Sequence, residues 1–369
     1  PPAPGFPEPP PRNPPRDDQD APRPLAPALA PAQGSPMTDA PDLPADTLLY
    51  LTRADLEGLG LTARDMTGAL SRLVGALPTG EAVNTPKRAI NFPDGRLYMS
   101  MLAYGPAGAS EAPPTRLATK SLGLAPANAA RGIPTISALI CLHDAETGRP
   151  VAVMDGDWIT GVRTAALSAL AALHLARPDS RILSLIGTGV QARTHLALFS
   201  ELFPLEEVRL LGRGRPNLEK VAADARALGL SVSEPGGPEA MLDGADLVVS
   251  SATPSPELPR FLDPDRLAPG AFASMVELAR AWRVDRLEGR ARTFVDDRAQ
   301  EAEMPDPLVP AAAISGDLSD LVTGKVAGRA DDAERLAFAF RGLALGDLAL
   351  AGLCFDRAVA AGVGLSLPR

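Results

Sequence analysis

Cysteine is nearly missing from this 369-residue chain: there are two, Cys141 and Cys354, each inside an apolar stretch. That excludes a disulfide framework and a thiolate zinc site from the expected readings. Histidine is almost as scarce. His143, His174 and His195 are the only three, and no two stand at ligand spacing, so no metal centre is expected. Positive charge is in deficit, with a net charge of −9. Nucleic acid and anionic membranes are therefore not expected as main partners. No apolar run reaches the roughly 18 residues of a membrane span. The charged-then-apolar pattern of a secretory leader is missing too, and a cytoplasmic location is the expectation.

What is present is unevenly distributed. Residues 1–45 hold sixteen of the 39 prolines and almost no β-branched residues. Such a segment cannot bury enough apolar surface to offset its ordering entropy, so a disordered tail is expected. It is either a flexible appendage or sequence that is not native to the protein, with Met37 as a plausible true start. The remaining length suits about two domains.

The most informative stretch is Arg181–His195. An apolar run, Ile182 to Ile186, stops at Gly187, and a helical pattern begins just after Gly189. Strand, glycine turn and helix start read G-x-G-x-x-A, the alanine-ending dinucleotide fingerprint. Gly187 allows the tight turn, Gly189 lets backbone approach a pyrophosphate, and Ala192 is small enough for helix to pack on strand. The helix start offers unpaired N–H groups to a phosphate. An ordinary strand-to-helix turn has the same letters, so context must decide.

That context is an alternation of strands and helices. Strands are predicted at Glu207–Leu211, Leu230–Ser233, Ala245–Ala252, Ala271–Glu277 and Arg292–Asp296. Helices are predicted at Val190–Phe203, Pro216–Leu228 and Pro238–Leu242, with a short turn at Asp263–Leu267. This order implies a parallel, doubly wound sheet. Before it, Thr47–Thr52, Arg88–Phe92, Arg96–Leu102, Arg116–Gly123, Thr135–His143 and Pro150–Met154 read as strands with hairpin turns. Helical turns begin at Arg53, and Ala63–Leu77 reads as a helix. Thr160–Leu175 is an alanine-rich helix with Asp157 or Thr160 as its cap. From Asp317 onward helices are predicted again, at Ala333–Gly342 and Asp347–Ala361. The expected class is α/β: a Rossmann-type dinucleotide domain over 161–318, beside a second α+β substrate and dimerisation domain. The latter is built from 46–160 and from C-terminal helices, 319–369, that return to it.

Residues 84–355 resemble the ornithine cyclodeaminase/mu-crystallin family. The likeness rests on Asp155-Gly-Asp-Trp-Ile-Thr-Gly-Val-Arg163-Thr-Ala-Ala, Ile186-Gly-Thr-Gly-Val-Gln191-Ala, Ser251-Ala-Thr253-Pro, Phe294-Val-Asp-Asp297, Gly316-Asp-Leu and Gly342-Leu-Ala-Leu-Gly-Asp347. The resemblance implies a nicotinamide cofactor, a small amino or imino acid substrate and a homodimer. It carries Arg163 and Arg88 to the substrate carboxylate, a role for which the planar guanidinium fork is suited; a surface salt bridge is the alternative for each. It carries Lys120 to the substrate as a proton donor or polar contact, where an edge-strand charge is the alternative. Glu277 falls where the family's cyclodeaminases have a catalytic Asp, and an ordinary strand-end carboxylate is the alternative. Thr164, Gly187, Thr188, Gly189, Val190, Gln191, Arg213 and Thr253 are carried to the cofactor.

The end of the second dinucleotide-domain strand, Leu211-Gly212-Arg213-Gly214-Arg215, has two arginines where an acidic residue would hold a ribose 2′-OH, so NADP(H) is expected over NAD(H). Within the family, reduction of cyclic or open imines of 2-oxo acids is the preferred expectation. Ornithine cyclodeamination and cofactor binding without turnover are the alternatives.

Overall fold

The computed structural model describes residues 46–253 and 258–369; the tail expected over 1–45 lies outside them. The first sheet is assembled from β1 (Thr47–Leu51), β2 (Val83–Asn84), β3 (Arg88–Asn91), β4 (Leu97–Pro106), β5 (Thr115–Leu124), β6 (Ile136–Asp144) and β7 (Pro150–Asp155). Two helices, α1 (Arg53–Gly58) and α2 (Ala63–Gly75), interrupt it, and each starts with a Thr–Asp capping box, at Thr52 and Thr62.

Helix α3 (Gly156–Leu175) then leads into the second sheet, whose connected elements are β8 (Ile182–Ile186), α4 (Val190–Leu202), β9 (Glu207–Leu211), α5 (Arg215–Ala227), β10 (Ser231–Ser233), α6 (Pro238–Leu242), β11 (Leu247–Ser250), β12 (Phe272–Met275), β13 (Arg292–Val295), α7 (Arg298–Ala302), β14 (Ile314–Asp317), α8 (Leu318–Val322) and β15 (Leu336–Ala339). Finally α9 (Ala344–Ala361) and β16 (Leu365–Pro368) return to the first sheet.

The second sheet is parallel throughout, in the order β10-β9-β8-β11-β12-β15-β13-β14. Every residue of β11, β12 and β15 is buried, as expected of strands covered on both faces. The first sheet is mixed, ordered β16-β1-β7-β6-β5-β4-β2 with β3 also on β4. Its β4 alternates instead: Met101, Ala103 and Gly105 are buried, and the residues between them face out.

Two expectations are corrected. Ala333–Gly342 is not a helix, because Leu336–Ala339 forms β15 between β12 and β13. A four-residue apolar run carries too few turns for periodicity to separate strand from helix. Beyond residue 318 the chain thus completes the parallel sheet before its last helix leaves it. Second, α3 starts four residues earlier than predicted. Asp155 is its cap, accepting from the Trp158 N–H at 2.8 Å, while Asp157 instead accepts from Ala138 at 2.6 Å. The 20-residue α3 is long and apolar enough to cross a membrane, but it is buried against α2, α4 and α9 as the helix linking both sheets.

Candidate active site

The C-terminal ends of the parallel strands hold one half of the site. Strand β8 ends at Ile186, and Gly187 turns the chain with φ +98°, a region that favours glycine. A Cβ there would lie 2.6 Å from the Ser251 carbonyl oxygen, so no side chain fits. Gly189 caps α4 without any side-chain hydrogen bond, and nothing lies within 4 Å of where its Cβ would be. The α4 N-terminus is thus open, and the buried Gln191 Oε1 beside it has no protein partner among the described residues. These features fit the phosphates of a dinucleotide.

Thr188 packs on Gly212. Val190 is exposed at the start of α4, Thr253 is exposed after β11, and the Thr164 hydroxyl donates to the Thr160 carbonyl at 2.7 Å. Arg213 is exposed at the end of β9. Arg215, in contrast, is engaged by Glu219 at 2.9 Å and Glu234 at 2.8 Å, so its charge is already paired.

A buried His195, which sequence reasoning assigned no role, ties this half to its neighbour. A carbonyl only accepts, so Nδ1–H donates to Gln191 O at 2.7 Å. Nε2 then accepts from the Ser168 hydroxyl at 2.8 Å, and Ser168 bonds Ser274 at 2.8 Å. Complete burial lowers His195 to about 4, so the ring stays neutral. The chain of bonds pins α4 to α3 and β12.

The other half collects side chains from segments far apart in sequence. Lys120 is wholly buried on β5 and pairs with Asp347 in the first turn of α9 at 2.8 Å, with Thr160 at 3.4 Å. The Nε of Arg163 stands 3.4 Å from the same Asp347 oxygen. That approach is an ion pair without hydrogen-bond geometry, for Arg163 Nε and Asp347 Oδ2 both lack a hydrogen-bond partner among the described residues. The guanidinium lies against the turn between β15 and α9, where a Cβ on Gly342 (φ +86°) would come 2.6 Å from Nη1. Asp296, buried, holds this turn by accepting from Gly342 N at 2.7 Å. Burial pushes its carboxyl up to about 6. Burial also brings the Lys120 ammonium down to about 8, against the opposing pull of Asp347.

Arg88 does not join this group. It pairs in register with Ser100 and, through it, Ser121, whereas Lys120 pairs with Met101, the next residue along β4, so Arg88 sits on the opposite face of the sheet and is exposed. The residue before it, Lys87, reaches the cluster instead and donates to the Arg341 carbonyl. Side chains alternate along a strand, and a one-residue difference in register decides which of two adjacent cations is inside.

Glu277 lies at the end of β12, 3 % exposed, with Oε1 accepting from Ala281 N at 3.4 Å and Oε2 unpartnered among the described residues. Leu278 and Ala279 follow it at φ 60° and 54°, a left-handed pair that costs of order 1 kcal/mol per residue. The buried Trp282 donates to Ser250 at 2.8 Å. Burial raises the carboxyl to about 7, against the opposing pull of hydrogen bonds to it, Ser250 among them. Of the substrate residues expected from the sequence, the structure brings Lys120 and Arg163 together at Asp347; the sequence reading left Lys87, Asp296 and Asp347 without roles. The last two lie inside the quoted family stretches.

A family model described as the ornithine cyclodeaminase/mu-crystallin family matches residues 49–362. The ketimine reductase mu-crystallin of Rattus norvegicus is 33% identical over 228 residues, covering 61% of this chain and 70% of its own. A Delta(1)-pyrroline-2-carboxylate reductase of Bacillus thuringiensis subsp. konkukian is 30% identical over 247 residues, covering 63% and 74%. The solved structure of Thermococcus litoralis Delta(1)-pyrroline-2-carboxylate reductase, in complex with NADH and L-proline, superposes with a TM-score of 0.76 at 26% identity. It covers 86% of this chain and 99% of that one.

Proposed function

The chain belongs to the ornithine cyclodeaminase/mu-crystallin family and is an NAD(P)-dependent enzyme; from that premise we propose that it reduces imines of 2-oxo acids, cyclic ones such as 1-pyrroline-2-carboxylate or open ketimines. The observation that carries this reading is the buried Lys120–Asp347–Arg163 group with its unpartnered Nε and Oδ2. Buried polar atoms are normally satisfied, and unsatisfied ones mark positions that await a partner. Two named reductases among the relatives, and L-proline beside NADH in the Thermococcus structure, support the same chemistry.

In this mechanism the Arg163 fork takes the substrate carboxylate and fixes the direction of the imine carbon. Lys120 Nζ, held by Asp347 and Thr160, keeps a proton near the imine nitrogen, which makes the carbon more electrophilic. Glu277, raised to about 7, is the alternative proton source. The dinucleotide supplies the hydride when bound, and Gly187, Gly189, Gln191 and the α4 N-terminus would hold its phosphates. NADP(H) is the cofactor we favour, on the strength of Arg213. A homodimer is supported by the apolar outer face of the mixed sheet.

A second reading, ornithine cyclodeamination to proline and ammonia, would use Glu277, whose Oε2 is unpartnered among the described residues; the family likeness has an Asp there, and a glutamate reaching about one methylene further counts against this reading. Cofactor balance separates the two, since a cyclodeaminase recycles its nicotinamide within one turnover and a reductase consumes it.

The test is turnover of NADPH and NADH with a panel of cyclic imines and of 2-oxo acids with amines. Arg163→Ala then loses at least about tenfold in kcat/KM, since removing one partner of such a contact costs about 2–5 kcal/mol. NADPH affinity, read by fluorescence titration, stays unchanged, and Arg163→Lys recovers only part of the loss. Full turnover by Arg163→Ala would exclude this site.

A further inference from the structure

The cation of the Lys87–Arg88 pair that turns inward is not the one the family pattern carries to the substrate, and the surroundings of Lys87 give it a role. Its ammonium donates to the Arg341 carbonyl, one residue from the Gly342 backbone on which the Arg163 guanidinium rests. Asp296 holds the same two residues by their N–H groups, at 3.2 Å and 2.7 Å. Lys87, Arg163 and Asp296 thus converge on one turn, between β15 and α9, from three separate parts of the chain. Asp347 follows on the first turn of that helix and adds Lys120 to the group.

The charges do not balance. Three cations, Lys87, Lys120 and Arg163, face two carboxylates, Asp296 and Asp347, and all of them interact with Lys87. Charges out of water need partners, because unpaired ones carry a heavy desolvation cost. A surplus of one positive charge is what a single carboxylate would neutralise. Among the described residues Lys87 makes one hydrogen bond, to Arg341, and an ammonium has three donors. The Nε of Arg163 is also unpartnered there. The proximity of Arg163 and Lys120 helps burial bring the Lys87 ammonium down to about 8, a repulsion that a bound anion would relieve.

We infer that Lys87 is a second carboxylate-binding cation of this site, acting with Arg163 on the carboxylate of the imino acid. The inference rests on the proposed imino-acid reading and deepens it, since it matches the site to a substrate carrying one negative charge.

The probe is pyrrole-2-carboxylate, a planar ring acid with no imine to reduce, titrated calorimetrically into the full chain with NADPH. Its uncharged counterpart, pyrrole-2-carboxamide, runs beside it. Lys87→Gln keeps a donor for the Arg341 carbonyl and removes only the charge. It should weaken the acid at least about tenfold while leaving the amide, NADPH affinity and melting temperature unchanged. Lys87→Arg should restore most of the affinity. Equal losses for acid and amide, or full acid affinity in Lys87→Gln, would make Lys87 a clasp for the turn and overturn the inference. If Arg163→Ala loses the acid while Lys87→Gln keeps it, only this inference falls. If neither change moves acid affinity, the imino-acid site falls with it.

Discussion

The two sheets of this molecule are finished to different degrees. The parallel sheet is covered on both faces, and β11, β12 and β15 are buried at every position. The mixed sheet buries one face, with Met101, Ala103, Ala118, Lys120 and Ile140 packed beneath α9 and α3. Its other face shows Ile90 at 64%, Tyr98 at 54% and Leu139 at 51% exposure, with Leu102 and Tyr104 beside them. Apolar patches of that kind mark association surfaces, whereas a doubly covered sheet needs no partner. The Lys120 cluster stands where the finished sheet meets the unfinished one. Lys120 comes from the mixed sheet, Asp296 from the end of a parallel strand, and Arg163 and Asp347 from the two helices that join them.

That junction is where the contrast breaks most severely. Asp347→Asn leaves Lys120 and Arg163 as buried cations without their carboxylate. Removing one partner of a buried pair costs about 3–5 kcal/mol, so denaturant unfolding at neutral pH should show a loss of that size together with lost turnover. Unchanged stability would mean that the pair is no more than a contact between already rigid layers.

The unfinished face gives the next largest effect. Leu139→Glu combined with Tyr98→Glu should convert the dimer proposed above to monomers in sedimentation. A two-fold interface meets each change twice, and lost apolar burial of about 3 kcal/mol is roughly a hundredfold in dissociation constant. Leu228→Glu, at an equally exposed leucine on the dinucleotide side, should leave association as it was. Dissociation by both variants alike would end the distinction between the two sheets.

Glu277 sharpens the comparison from the parallel side. Its folded pKa, about 7, lies above the ordinary 4.5. The folded state therefore holds its proton more tightly, and wild-type stability falls as pH rises from about 4.5 to about 7, then levels off. Glu277→Gln escapes that loss, so its unfolding free energy should gain on wild type between pH 5 and 8, by of order 2 kcal/mol. If Glu277 is the proton source, the fall in kcat/KM near pH 7 disappears with it. A fall that stays near pH 8 assigns the proton to Lys120 instead.

The same contrast explains what could be read from the residues. The half proposed for the cofactor is local: Gly187, Gly189 and Gln191 lie within five residues, and a glycine turn running straight into a helix start fixes their spacing. The substrate half is not. Lys87, Lys120, Arg163, Asp296 and Asp347 span 260 residues (87 to 347), and their meeting depends on β15 entering the parallel sheet, the one strand that periodicity assigned to helix. Arg163 and Lys120 were legible through the family likeness. That Lys87 and not Arg88 faces them was not, because both cations sit side by side and strand register alone chooses between them.

The smallest effect belongs to the open rim of the parallel sheet, where Arg213 and Arg215 both stand near the end of β9. Among the described residues only one of them has charge to spare. Arg215 is shared between Glu219 and Glu234, while Arg213 is exposed beside the Thr188–Gly212 contact that backs the phosphate loop. Arg213→Asp should therefore weaken NADPH and spare or improve NADH, because a carboxylate repels a 2′-phosphate and accepts from a ribose 2′-OH. Contacts at an exposed position are screened, so the change in the NADPH-to-NADH ratio of kcat/KM should be about tenfold and shrink as salt is raised. Arg215→Asp should move the ratio less, since its guanidinium is occupied by two carboxylates. Equal ratios before and after Arg213→Asp, or a larger shift from Arg215→Asp, would remove Arg213 from the cofactor site and leave the preference for NADP(H) without support.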